Sequence, residues 1–266
     1  MKLTNENLEN LSIELIQWIK EKMKNAGATK AIIGISGGKD SSVTAAFCVK
    51  ALGVENVIGV LMPDGLQGDI QDAIDLCHII DISHIIANIA PMTKAFKDLI
   101  GNIQHVNMHG MTDQTRLNIP PRVRMTTLYA ISQSIDNSRV INTSNISEDW
   151  IGYATVYGDT AGAFSPLGTL TSDEVIQLGD YIGLPDRFTF KTPSDGLTGK
   201  TDEDVFGFSY DVLNKYIREG ICEDEEIKAK IDRMHQYSRH KFLPIPMFPA
   251  SLPIKANDIA KIYKSI

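Results

Sequence analysis

The 266-residue chain is 43% hydrophobic and 22% charged, with a formal net charge of −7, enough apolar material for one large α/β core or two small ones. Its acidic balance, with no cluster of Lys and Arg, argues against a surface built to neutralise nucleic-acid phosphates, and no stretch approaches the ~18 uninterrupted apolar residues of a membrane span. Glu6, Glu9 and Glu14 interrupt the N-terminal apolar positions, against a signal peptide, and the widely spaced Cys48, Cys77 and Cys222 read as reduced thiols of a soluble cytoplasmic protein.

Leu8, Leu11, Leu15, Trp18 and Ile19 recur at helical spacing, which predicts an amphipathic helix over 5–24 closed near Gly27. A strand at 31–35, a glycine loop and a helix at 41–52 ended by Gly53 follow, then a strand at 57–62, a turn over 63–68 and a helix at 69–80. Next come a strand at 84–89, a helix from Pro91 to about Ile103, a polar stretch to Arg116, a long helix from about Pro120 to Asp136 and a strand at 139–143. This alternation predicts an α/β fold: a doubly wound, mainly parallel sheet of Rossmann-like type with right-handed crossovers and helices on both faces. Ligands should gather at its carboxyl edge, where the loops after the first, second and fourth strands converge. Beyond residue 143 helical patterns dominate, at 148–156, 171–182, 209–218, 223–237 and 255–264. The loops at 158–169 and 192–204 are long, of the size of functional lids. No repeat or linker divides the chain, so one domain is expected over 1–266, with a nucleotide-binding core at about 28–190 and a helical part at about 191–266.

The stretch from Ala31 to Ser42, AIIGISGGKDSS, passes from strand to helix through two glycines. Such a loop turns backbone N–H groups inward beside the positive end of the following helix, and Ser36, Ser41 and Ser42 add hydroxyls, so the site suits phosphate. A Walker A loop would place Ser or Thr after the lysine, whereas Lys39 is followed by Asp40. A carboxylate beside a phosphate cradle needs an intervening cation, which makes Asp40 a sensible Mg²⁺ ligand with pyrophosphate on the other side. The spacing from Gly34 does not fit the dinucleotide fingerprint.

The run from Asn142 to Asp149 follows a strand and opens a helix. Alone it reads as an ordinary helix start with Ser147 as the cap; beside the phosphate loop an acidic residue there would supply a second Mg²⁺ oxygen opposite Asp40. Asn118-Ile119-Pro120-Pro121 reads as another helix start, and Arg122 and Arg124, one residue apart, point to different faces; Arg near a helix N-terminus suits an anionic substrate. His105 and His109 are four apart but lack further Cys or His, so no zinc site is expected. Arg239-His240-Lys241, ahead of Leu243-Pro244-Ile245-Pro246, reads either as a solvated charge cluster or as an anion clamp.

SGGKDS resembles the SGG-x-DS loop of the N-type ATP pyrophosphatases, which split ATP into AMP and pyrophosphate. GISGGKDS at 34–41, NIPPRVRM at 118–125, NTSNISED at 142–149, YGD at 157–159, PLG at 166–168, KTPSDGL at 191–197, TDED-x-x-GFSYD at 201–211 and HK at 240–241 stand in the order seen in the ammonia-dependent NAD⁺ synthetases. The resemblance spans nearly the whole chain, and its C-terminal segment is the most specific. It implies the adenine nucleotide alpha hydrolase-like fold, with ATP phosphates cradled by Gly34, Ile35, Ser36, Gly37, Gly38, Lys39, Asp40 and Ser41. Thr143 and Ser194 match further ATP positions, and Asp40 and Glu148 match Mg²⁺ ligands; Asp40, Lys39 and Ser36 would carry the catalytic work. Arg122, Asp159, Lys191, His240 and Lys241 match positions that face the dinucleotide deamido-NAD⁺, and a homodimer is implied.

Three positions depart from the family pattern: Val156 where a basic residue is usual, Ala163 where an acidic one is usual, and Ser172 where Lys is common. The first two would touch deamido-NAD⁺ and the third ATP, with Lys191 or Lys200 available to compensate. The implied reaction is chemically sensible, because a carboxylate is a poor electrophile until adenylation gives it AMP as a leaving group. None of the three cysteines sits in an amidotransferase setting, so free ammonia, or ammonia handed over by a partner, is the expected nitrogen source. Another adenylating amidotransferase acting on a different carboxylate, or a non-catalytic nucleotide-binding homologue, is the alternative.

Overall fold

The computed structural model describes residues 2–66, 68, 70–108, 110–190, 201–259 and 261. Helix α1 (Asn5–Asn25) starts at Thr4, whose hydroxyl and the Asn7 side chain form a reciprocal capping box, and it buries Leu8, Leu15, Ile19 and Met23. There follow β1 (Lys30–Gly34), α2 (Lys39–Leu52), β2 (Val57–Leu61), α3 (Ile70–Ile79), β3 (Ser83–Ile86), α4 (Ala90–Gly101), α5 (Asp113–Gln133) and β4 (Ser138–Val140). The strands form one parallel sheet in the order β3-β2-β1-β4, with Ile32 level with Ile58 on one side and Val140 on the other. The expected order of strands and helices is therefore present.

Strand alternation sorts the core into two layers. Ala31, Ile33 and Ile35 pack with α1, α2 and α3 on one face. Ile32, Val60, Met62 and Val140 meet Ile119, Val123 and Leu128 of α5 on the other. Burial in the first layer raises the thiol of Cys48 to about 12 and that of Cys77 to about 11, so both are inert apolar fillers. The chain continues through α6 (Ile146–Ile151), α7 (Ser172–Tyr181), α8 (Asp186–Thr189), α9 (Asp202–Phe206), α10 (Tyr210–Glu219) and α11 (Glu225–Ser238). Leu178 and Phe188 join the first layer, whereas Ile151, Phe206, Phe208, Tyr210, Leu213 and Ile231 form a separate apolar cluster beyond the sheet edge. Arg218 donates to both Glu174 oxygens, at 2.6 and 2.5 Å, and so ties α10 to α7.

Three expectations need correction. Helix α5 begins at Asp113, with Thr112 accepting from Thr115 N, and contains Pro120 and Pro121 rather than starting at them. Its first turns are polar and mostly exposed, so apolar periodicity cannot detect them. Helix α6 stops at Ile151, because Gly152 takes a left-handed conformation (φ +72°) as its cap. Residues 255–259 are not helical; they lie in an exposed tail with no buried face to stabilise a helix.

The end of α11 is seated on the end of α6. The Arg239 guanidinium donates to the carbonyls of Asp149 and Trp150, and Lys241 Nζ donates to those of Gly152 and Ala154 at 2.8 and 3.0 Å. A Cβ on Gly152 would lie 2.1 Å from Ser238 Cβ, whereas one on Gly183, also left-handed at φ +82°, would meet nothing within 4 Å. Gly183→Ala should therefore cost about 1 kcal/mol, the backbone penalty alone. Gly152→Ala should cost about 1–3 kcal/mol beyond that, since Ser238 must also move. Equal losses in urea denaturation would show that α11 does not rest on Gly152.

Candidate functional site

At the carboxyl end of β1, Ile35 N still bonds Val60 O, and the chain turns only at Ser36. Gly37 makes the turn at φ +77°, and a Cβ there would stand 3.0 Å from Ala73 N and Asp72 Cβ, so glycine is required both by conformation and by contact with α3. Gly38 N donates to Ser36 Oγ, Ser36 N to Ser41 Oγ, and the hydroxyls of Ser41 and Ser42 donate to Gly38 O. Gly38 is the N-cap of α2 and brings no side chain to it, so an anion can approach the positive end of this helix.

Beside this loop two carboxylates meet. Asp40 comes from the first turn of α2 and Glu148 from the first turn of α6. Asn145, fully buried, joins them: its Nδ2 donates to Asp40 Oδ1 at 3.0 Å and to Glu148 Oε1 at 2.9 Å. Its Oδ1 caps α6 by accepting from Ser147 N and Glu148 N. The cap is therefore Asn145 and not Ser147, whose hydroxyl instead bonds Asn214 at 2.5 Å and accepts from Ser172 N. Lys39 turns inward with its side chain 4% exposed; its Nζ lies 2.8 Å from Asp40 Oδ2 and 3.7 Å from Glu148 Oε1. Burial opposes the Lys39 charge, but Asp40 and then Glu148 outweigh it, so its pKa lies above the ordinary value. Burial first, and then the Asp40 charge, lift Glu148 well above the usual carboxylate range, and Lys39 offsets this only in part. Burial also raises Asp149 to about 7, against the pull of Arg239.

Arg122, Asp159 and Lys241, also expected at the site, meet at a second loop. Asn142, at the end of β4, donates to the carbonyls of Asp159 and Ala161, and Ser144 Oγ donates to Asp159 O. Asp159 Oδ2 accepts from Thr155 N at 2.8 Å, and Thr155 Oγ1 donates to Asn118 Oδ1, which sits inside α5 rather than capping it. Arg122 Nε donates to Val156 O at 3.1 Å and Arg124 Nε to Met62 O, so the two arginines do diverge. With Lys241 on Gly152 O and Ala154 O, the loop at 152–159 is held from both sides. His240 is exposed, with Nδ1 against Tyr237 O. Thr143 lies half-buried between Asn142 and Ser144; Lys191, Ser194, Lys200 and His109 lie outside the described residues. Ser172 is buried, and Asn214 Nδ2 donates to its hydroxyl.

Sequence reasoning did not single out Asn145, Asp202 or Tyr210. Tyr210 OH donates to the buried Asp202 at 3.3 Å, and its ring lies 6.0 Å below Lys39 Nζ, so TDED-x-x-GFSYD forms part of the floor under the carboxylate pair. The spacing of Asn145 from Ser147 and Glu148, that of an Asx cap, was the available signal. Among the described residues no group of three or more His, Cys, Asp or Glu gathers as a metal cage. The Asp40–Glu148 oxygens beside a phosphate loop nevertheless fit Mg²⁺, which characteristically takes one or two carboxylates and completes its shell with phosphate oxygens and water.

The sequence pattern of the NAD synthase family matches residues 11–248. An NH3-dependent NAD⁺ synthetase of Wolinella succinogenes is 36% identical over 237 residues, 86% of this chain and 87% of its own length. The solved NMN synthetase of Francisella tularensis superposes with a TM-score of 0.81 at 30% identity, covering 92% of this chain and 99% of that one. The NH3-dependent NAD synthetase of Campylobacter jejuni superposes with a TM-score of 0.73 at 29% identity, covering 91% and 98%.

Asn145→Asp separates capping from bridging, since Asp caps a helix as well as Asn but donates nothing to a carboxylate. In EDTA at pH 8 it should cost about 3 kcal/mol or more, because a third charge enters a close, half-buried pair. Clustered carboxylates have raised folded pKa values, so protonation on acidification relieves the repulsion and the loss relative to wild type should shrink by pH 5. A loss in urea denaturation independent of pH would rule out the bridging role.

Proposed function

Since the chain belongs to the NAD synthase family, we propose that it joins ammonia to the nicotinate carboxylate of deamido-NAD⁺ with ATP as co-substrate, giving NAD⁺, AMP and pyrophosphate. It is a carbon–nitrogen ligase. The observation that carries this reading is the meeting, at one sheet edge, of the serine-lined loop of Ser36, Gly37, Gly38 and Ser41, the Asp40–Glu148 pair, and the loop at 152–159. In the first step a nicotinate carboxylate oxygen bonds to the α-phosphorus of ATP and the bond to pyrophosphate breaks. Ammonia then adds to the acyl carbon, loses a proton, and AMP departs with the former carboxylate oxygen. The loop amides and the N-terminus of α2 hold the phosphates and stabilise the charge on the leaving pyrophosphate. Mg²⁺ held by Asp40 and Glu148 would add positive charge beside those phosphates. Arg122, Lys241, His240 and Asp159 surround the place for the acceptor, with Lys191 and Ser194 assigned by resemblance alone.

A homodimer completes the reading, supported by the exposed apolar side chains of Phe96 and Leu99 on α4, Val106 after it, and Leu117 on α5. No helix among the described residues is long and apolar enough to cross a membrane, and the cytoplasm is the proposed compartment. One observation favours a second acceptor, nicotinate mononucleotide: the backbone superposes well on an NMN synthetase, and Val156 and Ala163 offer neither of the two charges expected around a dinucleotide. Ala163 instead borders a cavity of about 350 Å³ lined by Tyr129, Gln133 and Arg139.

With ATP, Mg²⁺ and ammonium, the purified protein should release pyrophosphate only when an acceptor is present and convert deamido-NAD⁺ to NAD⁺, while glutamine should not replace ammonium. Val156→Lys with Ala163→Asp should lower the KM for deamido-NAD⁺ roughly ten- to a hundredfold. Formation of NMN from nicotinate mononucleotide, with no turnover of deamido-NAD⁺, would establish the second acceptor. Release of pyrophosphate with neither would refute both readings. Asp40→Asn and Glu148→Gln should keep the fold and lower kcat by about a hundredfold or more, checked by circular dichroism and pyrophosphate release.

A further inference from the structure

The SGG-x-DS pattern leaves its fourth position open, and this chain places Lys39 there. A lysine at the first residue of a helix ordinarily extends into water, but Lys39 is almost completely buried and reaches back over the floor of the site. Its Nζ stands 2.8 Å from Asp40 Oδ2 and 3.7 Å from Glu148 Oε1, with the Tyr210 ring 6.0 Å away and the hydroxyl of that ring donating to Asp202. Asn145 occupies the other side of both carboxylates. The pair is thus satisfied by groups of the chain itself, one ammonium and one amide.

We propose that Lys39 is a resident counter-cation of the Asp40–Glu148 pair, which a divalent cation must displace in order to bind. The proposal rests on the reading of these two carboxylates as that cation's ligands. It has two consequences. Without metal the two carboxylates still keep one ammonium and one amide donor between them, so the free protein needs no divalent cation to stay folded. With metal, two positive charges compete for the same oxygens, so the cation binds weakly until a polyphosphate arrives whose oxygens partner both the cation and Lys39. Cation occupancy is thereby tied to ATP.

The test uses Mn²⁺ as the probe, with free Mn²⁺ read by electron paramagnetic resonance on the full chain, and compares wild type with Lys39→Met, which keeps the stem, and Lys39→Gln, which keeps a neutral donor. Both variants should bind Mn²⁺ without nucleotide at least about tenfold more tightly than wild type, because a positive charge at contact distance has gone. Both should also melt at lower temperature in EDTA and regain stability with Mn²⁺, whereas wild type should respond little to Mn²⁺ alone. Should a variant fail to fold without metal, recovery of refolding yield by Mn²⁺ supports the proposal and failure to recover counts against it. Unchanged or weaker Mn²⁺ binding in both variants overturns it, and a raised KM for ATP with unchanged Mn²⁺ affinity makes Lys39 a phosphate contact instead. Absence of Mn²⁺ binding in every protein, even with ATP present, would overturn the divalent-cation reading together with the proposal.

Discussion

Two carboxylates from different helices, Asp40 and Glu148, stand together where solvent reaches them poorly. Like charges in such a place repel strongly, and each separately loses hydration. Their coexistence depends on the Asn145 amide, which donates to one oxygen of each, and on the Lys39 ammonium, which lies against both. The rest of the architecture serves that meeting. Parallel pairing of β1 with β4 brings the start of α2 beside the start of α6, and the Gly37 turn sets the phosphate loop within reach of the same carboxylates.

The loop at 152–159 is held differently. Arg122 and Lys241 are bonded to neutral carbonyls of the loop at 152–159. Each of these bonds has an ionised donor and a neutral acceptor, and together they fix the orientation of both side chains. The glycine loop and the carboxylate pair are joined through interlocked side chains; the loop at 152–159, with Thr155 and Gly158 buried and only Tyr157 and Asp159 exposed, is strapped between α5 and the segment after α11.

The most family-specific segment, TDED-x-x-GFSYD, does structural work. Thr201 and Asp204 form a capping box on α9, Glu203 accepts from Tyr210 N, and Tyr210 with Asp202 supports Lys39 from below. Arg218 and Glu174 then fasten α10 to α7, whose Leu178 enters the core over the sheet. Helices α9 and α10 are therefore mechanically continuous with the carboxyl end of β1.

The order of strands and helices, the parallel sheet and the strand-to-helix glycine turn were legible in the chain, because apolar periodicity, glycine turns and helix caps are written within a few residues of one another. So were Asp40 and Glu148 as partners at one edge, since the topology of a parallel sheet brings the ends of its strands together. Other features were settled only in three dimensions. The polar start of α5 has no periodic signal, and the run at 255–259 has no buried face to make it a helix. Asn145 becomes a bridge and Lys39 a counter-ion only when α2 and α6 are side by side. Ser172 turns inward only because Asn214 and Ser147 are there to meet it. Each of these depends on charges and donors far apart in the chain, whose interaction exists only after the core has closed around them.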